Sequence, residues 1–550
     1  LGADDRPHAA RSGGAAVIRA LLVAGALLLS SCSPKDSSRT RSSAPSRSVG
    51  PATLAWGLSV QPDLLNPLLA TNAIAREIDD LIFLKLTEFG PPPQHDFLPL
   101  LAKSWTLSAD GRTLTYELRD DIRWEDGVPT TAADVVFTFE RMTNPDVAYP
   151  SKANLRKIDS CTADGDWRVV FHFKETPTEP VFETMFNIVP AHLLERTPPG
   201  ELAANPFNRA PTGNGRWKIV DWTSDERLTL EASDTPLGRP HFDRLIFRII
   251  PEDNTMRTEL LTGGIDVFHR YPSRFFRQDS TNQALAFQRF SDRTYTYIGW
   301  NLKNPLFQDV RVRKALTMAT DRETIVKAFR DGYGQVAAVP LYAEHPDFDP
   351  NVKPLPFDPT AAGRLLDEAG WTARDQDGIR TKNGRRFEFK FHLISGNTIS
   401  EEIATMVQAE FRKLGILVTS GSMEMTVYLD KLHKKEFEAT ILARRVDLVY
   451  DPEPVFHSRS IQGQYNDVSF SSPMIDQLID RAKSIPNREE RRKVWWEFQE
   501  EFAREMPITV LYIGDAIYPV RRDKVENPVM DLRGALVRVH EWRPAKGPPA

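Results

Sequence analysis

The interval at which apolar residues recur changes partway along this chain, and that change limits the folds open to it. Early segments such as TLTYELRDDIRW (113–124) and WRVVFHFKE (167–175) alternate apolar and polar residues at period two, with ADG turn signals between them. Alternation of that kind places one apolar face on each strand, which implies antiparallel sheet. Between Pro340 and Met423 the period becomes helical. Asp358 is an N-cap with Pro359 at the first helical position, Leu365, Leu366 and Ala369 share one face, and Gly370 ends the run. Ser400 is expected to cap EEIATMVQAEFRKL, whose apolar face is Ile403, Met406, Val407, Phe411 and Leu414; Gly415 ends it before a strand, ILVTSGSM. Asn487 with Glu490 starts a third helix, REERRKVWWEFQEEFARE, ahead of the strand ITVLYIG. Sheet followed by alternating helix and strand defines a mixed α/β chain. With 550 residues it exceeds the roughly 250–300 residues that one core can serve, so at least two lobes are expected.

The amino-terminal segment follows different rules. Arg6, Arg11 and Arg19 precede ALLVAGALLL (20–29), ten apolar residues that are too few for a bilayer core of about 30 Å. This is the pattern of a secretory leader. It runs into LSSC, which looks like a lipobox: cleavage after residue 31 would leave Cys32 to carry a lipid anchor. The Ser/Pro/Arg tract that follows, to residue 51, has no apolar periodicity and is read as a tether. The one other cysteine, Cys161, rules out a disulfide framework and reads as a buried small residue. A formal charge of −5 without a basic stripe argues against nucleic acid as a partner.

Chemistry-bearing motifs are sparse. The sequence contains no G-x-S-x-G, H-E-x-x-H, Walker or complete G-x-G-x-x-G motif, so no catalytic residue, metal or cofactor is assigned. EHPDFDP (344–350), with His345, Asp347 and Asp349, has metal-like spacing but reads as a solvated loop between prolines. Asp120, Asp121, Glu125 and Asp126 around Trp124 resemble paired acid/base carboxylates, yet EDG is turn chemistry and Thr131 with Asp134 opens a helix. The densest carboxylate cluster is RVDLVYDPEPVF (445–456), where Asp447, Asp451 and Glu453 follow Arg444 and Arg445.

Several long segments resemble, in family order, the bacterial family 5 extracellular solute-binding proteins, which include the oligopeptide, dipeptide and nickel receptors of ABC importers. They are LAKSWTLSADGRTLTYELRDDIRWEDGVPTTAADVVFTFER (101–141), GGIDV (263–267), NPLFQDVRVRKALTMATDRETIV (304–326), FDPTAAGRLLDEAGW (357–371) and REMPITVLY (504–512). The resemblance implies a two-lobe clamshell of the type II, cluster C-like kind. Residues 52–300 and 505–545 would form the first lobe, with a subdomain inserted at about 90–210, and 301–504 the second. The chain crossings are expected at Tyr295–Asn301 and near Glu505. A small solute, most readily a peptide, would be held between the lobes of a monomer and passed to an inner-membrane ABC permease. A sugar, an opine-like compound or a metal chelate is the alternative ligand, and an exported hydrolase the remote alternative function.

In peptide-binding members, an aspartate three residues before an Asp-Pro pair holds the ligand's ammonium group. Asp451-Pro452 supplies the pair, but the position three before it is Leu448 and the carboxylate falls at Asp447. On an extended strand a shift of one residue reverses the face, so Asp447 needs a local irregularity to serve. Arg444 and Arg445 could instead hold an anionic group, or simply neutralise Asp447 and Asp451. PTGNGRW (211–217) also departs from the family pattern, as an altered turn. The expected cleft residues are Asn72, Tyr297, Trp300, Arg445, Asp447, Tyr450 and Asp451.

Overall fold

The computed structural model describes residues 50–92, 96–463 and 465–546. The leader, Cys32 and nearly all of the tether lie outside the described residues. Among those described, no helix is long and apolar enough to cross a membrane.

Eleven strands of the described residues form one mixed sheet that runs through both lobes. In spatial order it passes Leu417–Met423, Glu388–Ile394, Ala439–Arg445, Leu285–Trp300, Ile508–Arg521, Val267–Phe268, Thr53–Leu58, Arg244–Ile249, Arg227–Ala232 and Trp217–Thr223, with Gly334–Gln335 beside Ile508–Arg521. Two long strands carry the chain between lobes. Leu285–Ser291 pairs antiparallel with Asp515–Arg521 on the first-lobe side, and Tyr295–Gly299 pairs with Ile508–Ile513 on the second. The ladder is irregular between Ser291 and Tyr295, where Arg293 takes a positive φ of 54°. A bulge of this kind bends the strand and increases its twist. A second register shift follows between Thr296 and Tyr297, within the stretch Tyr295–Asn301 expected to carry a chain crossing.

The period-two segments form a four-stranded antiparallel sheet, ordered Ala102–Leu107, Thr113–Leu118, Arg168–Phe173, Ile158–Ala163. Its buried face shares a core with the main sheet through Tyr116, Phe171, Trp124 and Trp217, and contains the thiol of Cys161. PTGNGRW makes the seam. A Cβ on Gly213 would stand 2.4 Å from the carbonyl oxygen of Ile82, and one on Gly215 2.6 Å from that of Leu81. Asn214 Oδ1 accepts the backbone N–H of Leu84 at 2.9 Å, so the two glycines let that turn close on the end of helix Ala73–Ile82.

In the second lobe one core gathers Trp300, Phe307, Phe389 and Phe411, and another Tyr295, Tyr297, Tyr450, Trp495 and Phe498. Helix Pro359–Glu368 is capped by Asp358, and helix Arg488–Glu505 by Asn487, which accepts the N–H of Glu490. The helix assigned to a Ser400 cap spans Thr398–Lys413 instead; Asn397 is its N-cap and accepts the N–H of Ser400 at 3.2 Å. Both residues are cap formers, and the fold selects the earlier. The loop at 344–350 is solvated only in part: Glu344 and Pro350 are exposed, but His345 and Asp349 are buried, and Gln499 Oε1 accepts the N–H of Asp349 at 3.0 Å. No group of three potential metal ligands stands together among the described residues.

Candidate ligand-binding cleft

The strand Ala439–Arg445 ends one residue after Arg444, and from Val446 the backbone is irregular, with a bend at Leu448–Val449. Strand alternation no longer fixes side-chain direction there. Asp447, Val449, Tyr450 and Asp451 line a cavity of about 240 Å³ facing Tyr149, Arg156, Lys157, Phe182, Glu183 and Phe186 of the first lobe. Leu448 turns the other way, into a cavity of about 160 Å³ whose walls mix Leu81, Phe83, Phe89, Leu100, Met185 and Leu536 with the charged Glu77, Asp80, Lys85, Glu88 and Arg533. Leu448, Val449 and Tyr450 also border a third cavity, about 180 Å³, with His345, Asp347, Arg488, Arg491 and Trp495. The segment 447–451 is thus the second lobe's edge of an interlobe cleft.

Asp447 is exposed and has no hydrogen-bond or ion-pair partner among the described residues. Water reaches it, but the cleft walls thin the solvent around it and raise its pKa; Arg293 and Arg445 pull the pKa back, and Asp451 adds to the rise. The other carboxylates are taken. Asp451 meets Lys483 Nζ at 3.1 Å. Glu453 receives both Lys483 and Arg459, and these bonds overcome its burial and hold it at a pKa of about 2. Lys157 and Glu183 pair at 2.7 Å in the opposite wall, both nearly buried.

Neither arginine neutralises the cluster as expected. Arg444 donates to Asp467 at 2.5 Å, and Asp467 also accepts from Tyr297 Oη at 3.2 Å. Arg445 is exposed at the strand end, opposite Thr294, and acts on Asp447 by charge alone.

The other expected cleft residues lie elsewhere. Trp300 is fully buried in the second-lobe core, with Nε1 donating to Thr509 Oγ1 at 3.1 Å. Tyr297 is buried beneath the strand by its bond to Asp467. Asn72 is a helix cap: it accepts the N–H of Ala75 at 2.8 Å and donates to the carbonyl of Gln61 at 3.0 Å. Each has an aromatic ring or amide suited to a ligand, but its polar atom is already satisfied by the protein. The acidic run near Trp124 is likewise dispersed, since Asp121 pairs with Arg119, Asp126 with His192, and Glu125 accepts the N–H of Gly213. The opposite wall, from Arg156, Lys157, Glu179, Glu183 and Met185, was missed; these residues carry no local motif, and only packing brings them to 447–451.

Two lobes joined by two crossing strands, with a cleft walled from both sides and the unpartnered carboxylate of Asp447 in it, are the architecture of a solute-binding protein. Residues 96–467 match the family model described as bacterial extracellular solute-binding proteins, family 5, middle region, and the chain belongs to that family. The oligopeptide-binding protein AppA of Bacillus subtilis is 30% identical over 545 residues, covering 97% of this chain and 99% of that one. The structure of B. subtilis AppA in complex with a nonapeptide superposes with a TM-score of 0.74 at 28% identity, over 90% of this chain and 99% of the other. That of NikZ from Campylobacter jejuni in complex with Ni(L-His) gives 0.73 at 26% identity, over 90% and 100%.

Proposed function

We propose that this protein is the substrate-binding component of an ABC importer, taking a peptide into the cleft and presenting it to a membrane permease. Asp447 carries the reading: a carboxylate open to the cleft, unpaired, and freed from strand alternation by the bend after Arg445. A free α-ammonium group would give it the charge-assisted bonds that the protein withholds. The walls mix aromatic and apolar side chains with charged groups, most of which are already paired within the protein. Closure about the two crossing strands would bury the ligand, and a permease senses loading only through such a population shift. A lipid on Cys32 would tether a monomeric receptor at the membrane. The similarity to a protein seen with nickel-histidine keeps a chelate as the second reading, in which Asp447 would meet the histidine ammonium. Native mass spectrometry of the purified protein tests both. Co-purified masses forming a peptide ladder are expected; one discrete metal-bearing mass would replace the first reading by the second.

A further inference from the structure

The cleft is divided. The cavities of about 240 and 180 Å³ share a wall made of Thr178, Glu179, Val449 and Tyr450. Glu179 reaches from the first lobe to the start of helix Arg488–Glu505 in the second. Arg488 donates to it through Nε at 3.1 Å and Nη2 at 3.5 Å, and Arg491 donates through Nη2. The bridge is partly sheltered: the Glu179 side chain is 14% exposed and that of Arg491 6%, whereas that of Arg488 is 38% exposed and also faces Asp96 at 3.6 Å. Arg491 is further fixed by donating to the carbonyls of Ile485 and Pro486 at 2.9 and 3.2 Å. Taking one partner out of such a pair leaves an uncompensated charge, so a ligand long enough to occupy both chambers would meet Glu179 in the wall they share, at a contact that is costly to open.

Resting on the peptide reading, we propose that the Glu179–Arg488–Arg491 bridge acts as a length stop, restricting the ligand to short peptides. The chambers set the scale. A cavity of about 150 Å³ accepts one benzene, so the 160 Å³ pocket beside Leu448 has room for about one large side chain. The 240 Å³ chamber at Asp447 then holds little more than the ammonium end and a neighbouring residue. Together they hold about two to four residues by that scale, well short of a nonapeptide.

The test is isothermal titration of the whole protein with a leucine- and phenylalanine-bearing series from dipeptide to nonapeptide, all with free amino termini. Di- to tetrapeptides are expected to bind at least about tenfold more tightly than the nonapeptide, about one RT ln 10 step. In Glu179→Gln that ratio should narrow to about threefold or less, also read as a ratio of Kd values. Arg491→Gln provides a second variant, with thermal melts checking that both fold. Equal or tighter nonapeptide binding by the unaltered protein would overturn the length stop and leave the peptide reading standing. Binding of no peptide at any length would overturn both. An unchanged ratio in both folded variants would assign the length limit to something other than the bridge.

Discussion

Asp447 and Asp467 differ in what surrounds them, although Arg444 lies three residues from the first and bonds to the second. Asp467 is 3% exposed, held by Arg444 and Tyr297, and one of its oxygens has no partner. Burial raises its pKa, and Arg444 and Lys435 oppose the rise. Asp447 sits past the strand end, where water reaches it and no side chain pairs with it. Asp467 is committed to holding strands Ala439–Arg445 and Leu285–Trp300 together, whereas Asp447 keeps its carboxylate free of side-chain partners among the described residues. Residue type and proximity to arginine do not separate these roles; the end of the backbone ladder does.

Substitutions can break the comparison from either side. Trp300→Ala removes a core ring and should cost about 3–5 kcal/mol of stability, read by denaturant unfolding, with binding lost only as the protein unfolds. Arg444→Met leaves the buried Asp467 without its cation and should cost about 3 kcal/mol by the same measurement. Asp447→Asn should leave unfolding within about 0.5 kcal/mol, yet weaken a free-amino peptide by about 2 kcal/mol or more, on the order of 30-fold. Asn72→Ala removes a cap rather than a ligand contact, so stability should fall by about 1 kcal/mol with the ratio of peptide affinities unchanged.

The smallest expected effect is on pH dependence. The ammonium requires Asp447 ionised, and its raised pKa means that acidification protonates it earlier than an ordinary aspartate. Affinity should therefore be lower at pH 5.5 than at pH 7, the loss growing as the pH drops through that pKa. In Asp447→Asn this slope should disappear, which titrations at the two pH values would show.

Helix ends and strand alternation were legible in the chain because they depend on neighbours a few residues apart. Asp358, Pro359 and Gly370 mark their helix as local chemistry requires. Asn397 displaced Ser400 as a cap because two good formers stood together, and only tertiary packing decides between them. The Asp-Pro segment places Asp447, Tyr450 and Asp451 beside a cavity, whereas Trp300 and Tyr297 lie in cores, because an alternating aromatic strand does not show which face meets a core and which a cleft. Loop 344–350 looked solvated from its prolines and charges, but Gln499, about 150 residues away, satisfies its backbone. Glu179 and Arg488 are farther apart still in sequence, at |i−j| = 309.

The most direct test of Asp447 as the ammonium anchor is a four-way titration: one short peptide and its N-acetylated twin, each against the unaltered protein and Asp447→Asn. If Asp447 holds the ammonium, acetylation and substitution each weaken binding, and together they cost little more than either alone, a coupling of about 2 kcal/mol. Equal affinity for the two peptides in the unaltered protein, or fully additive losses, would contradict it.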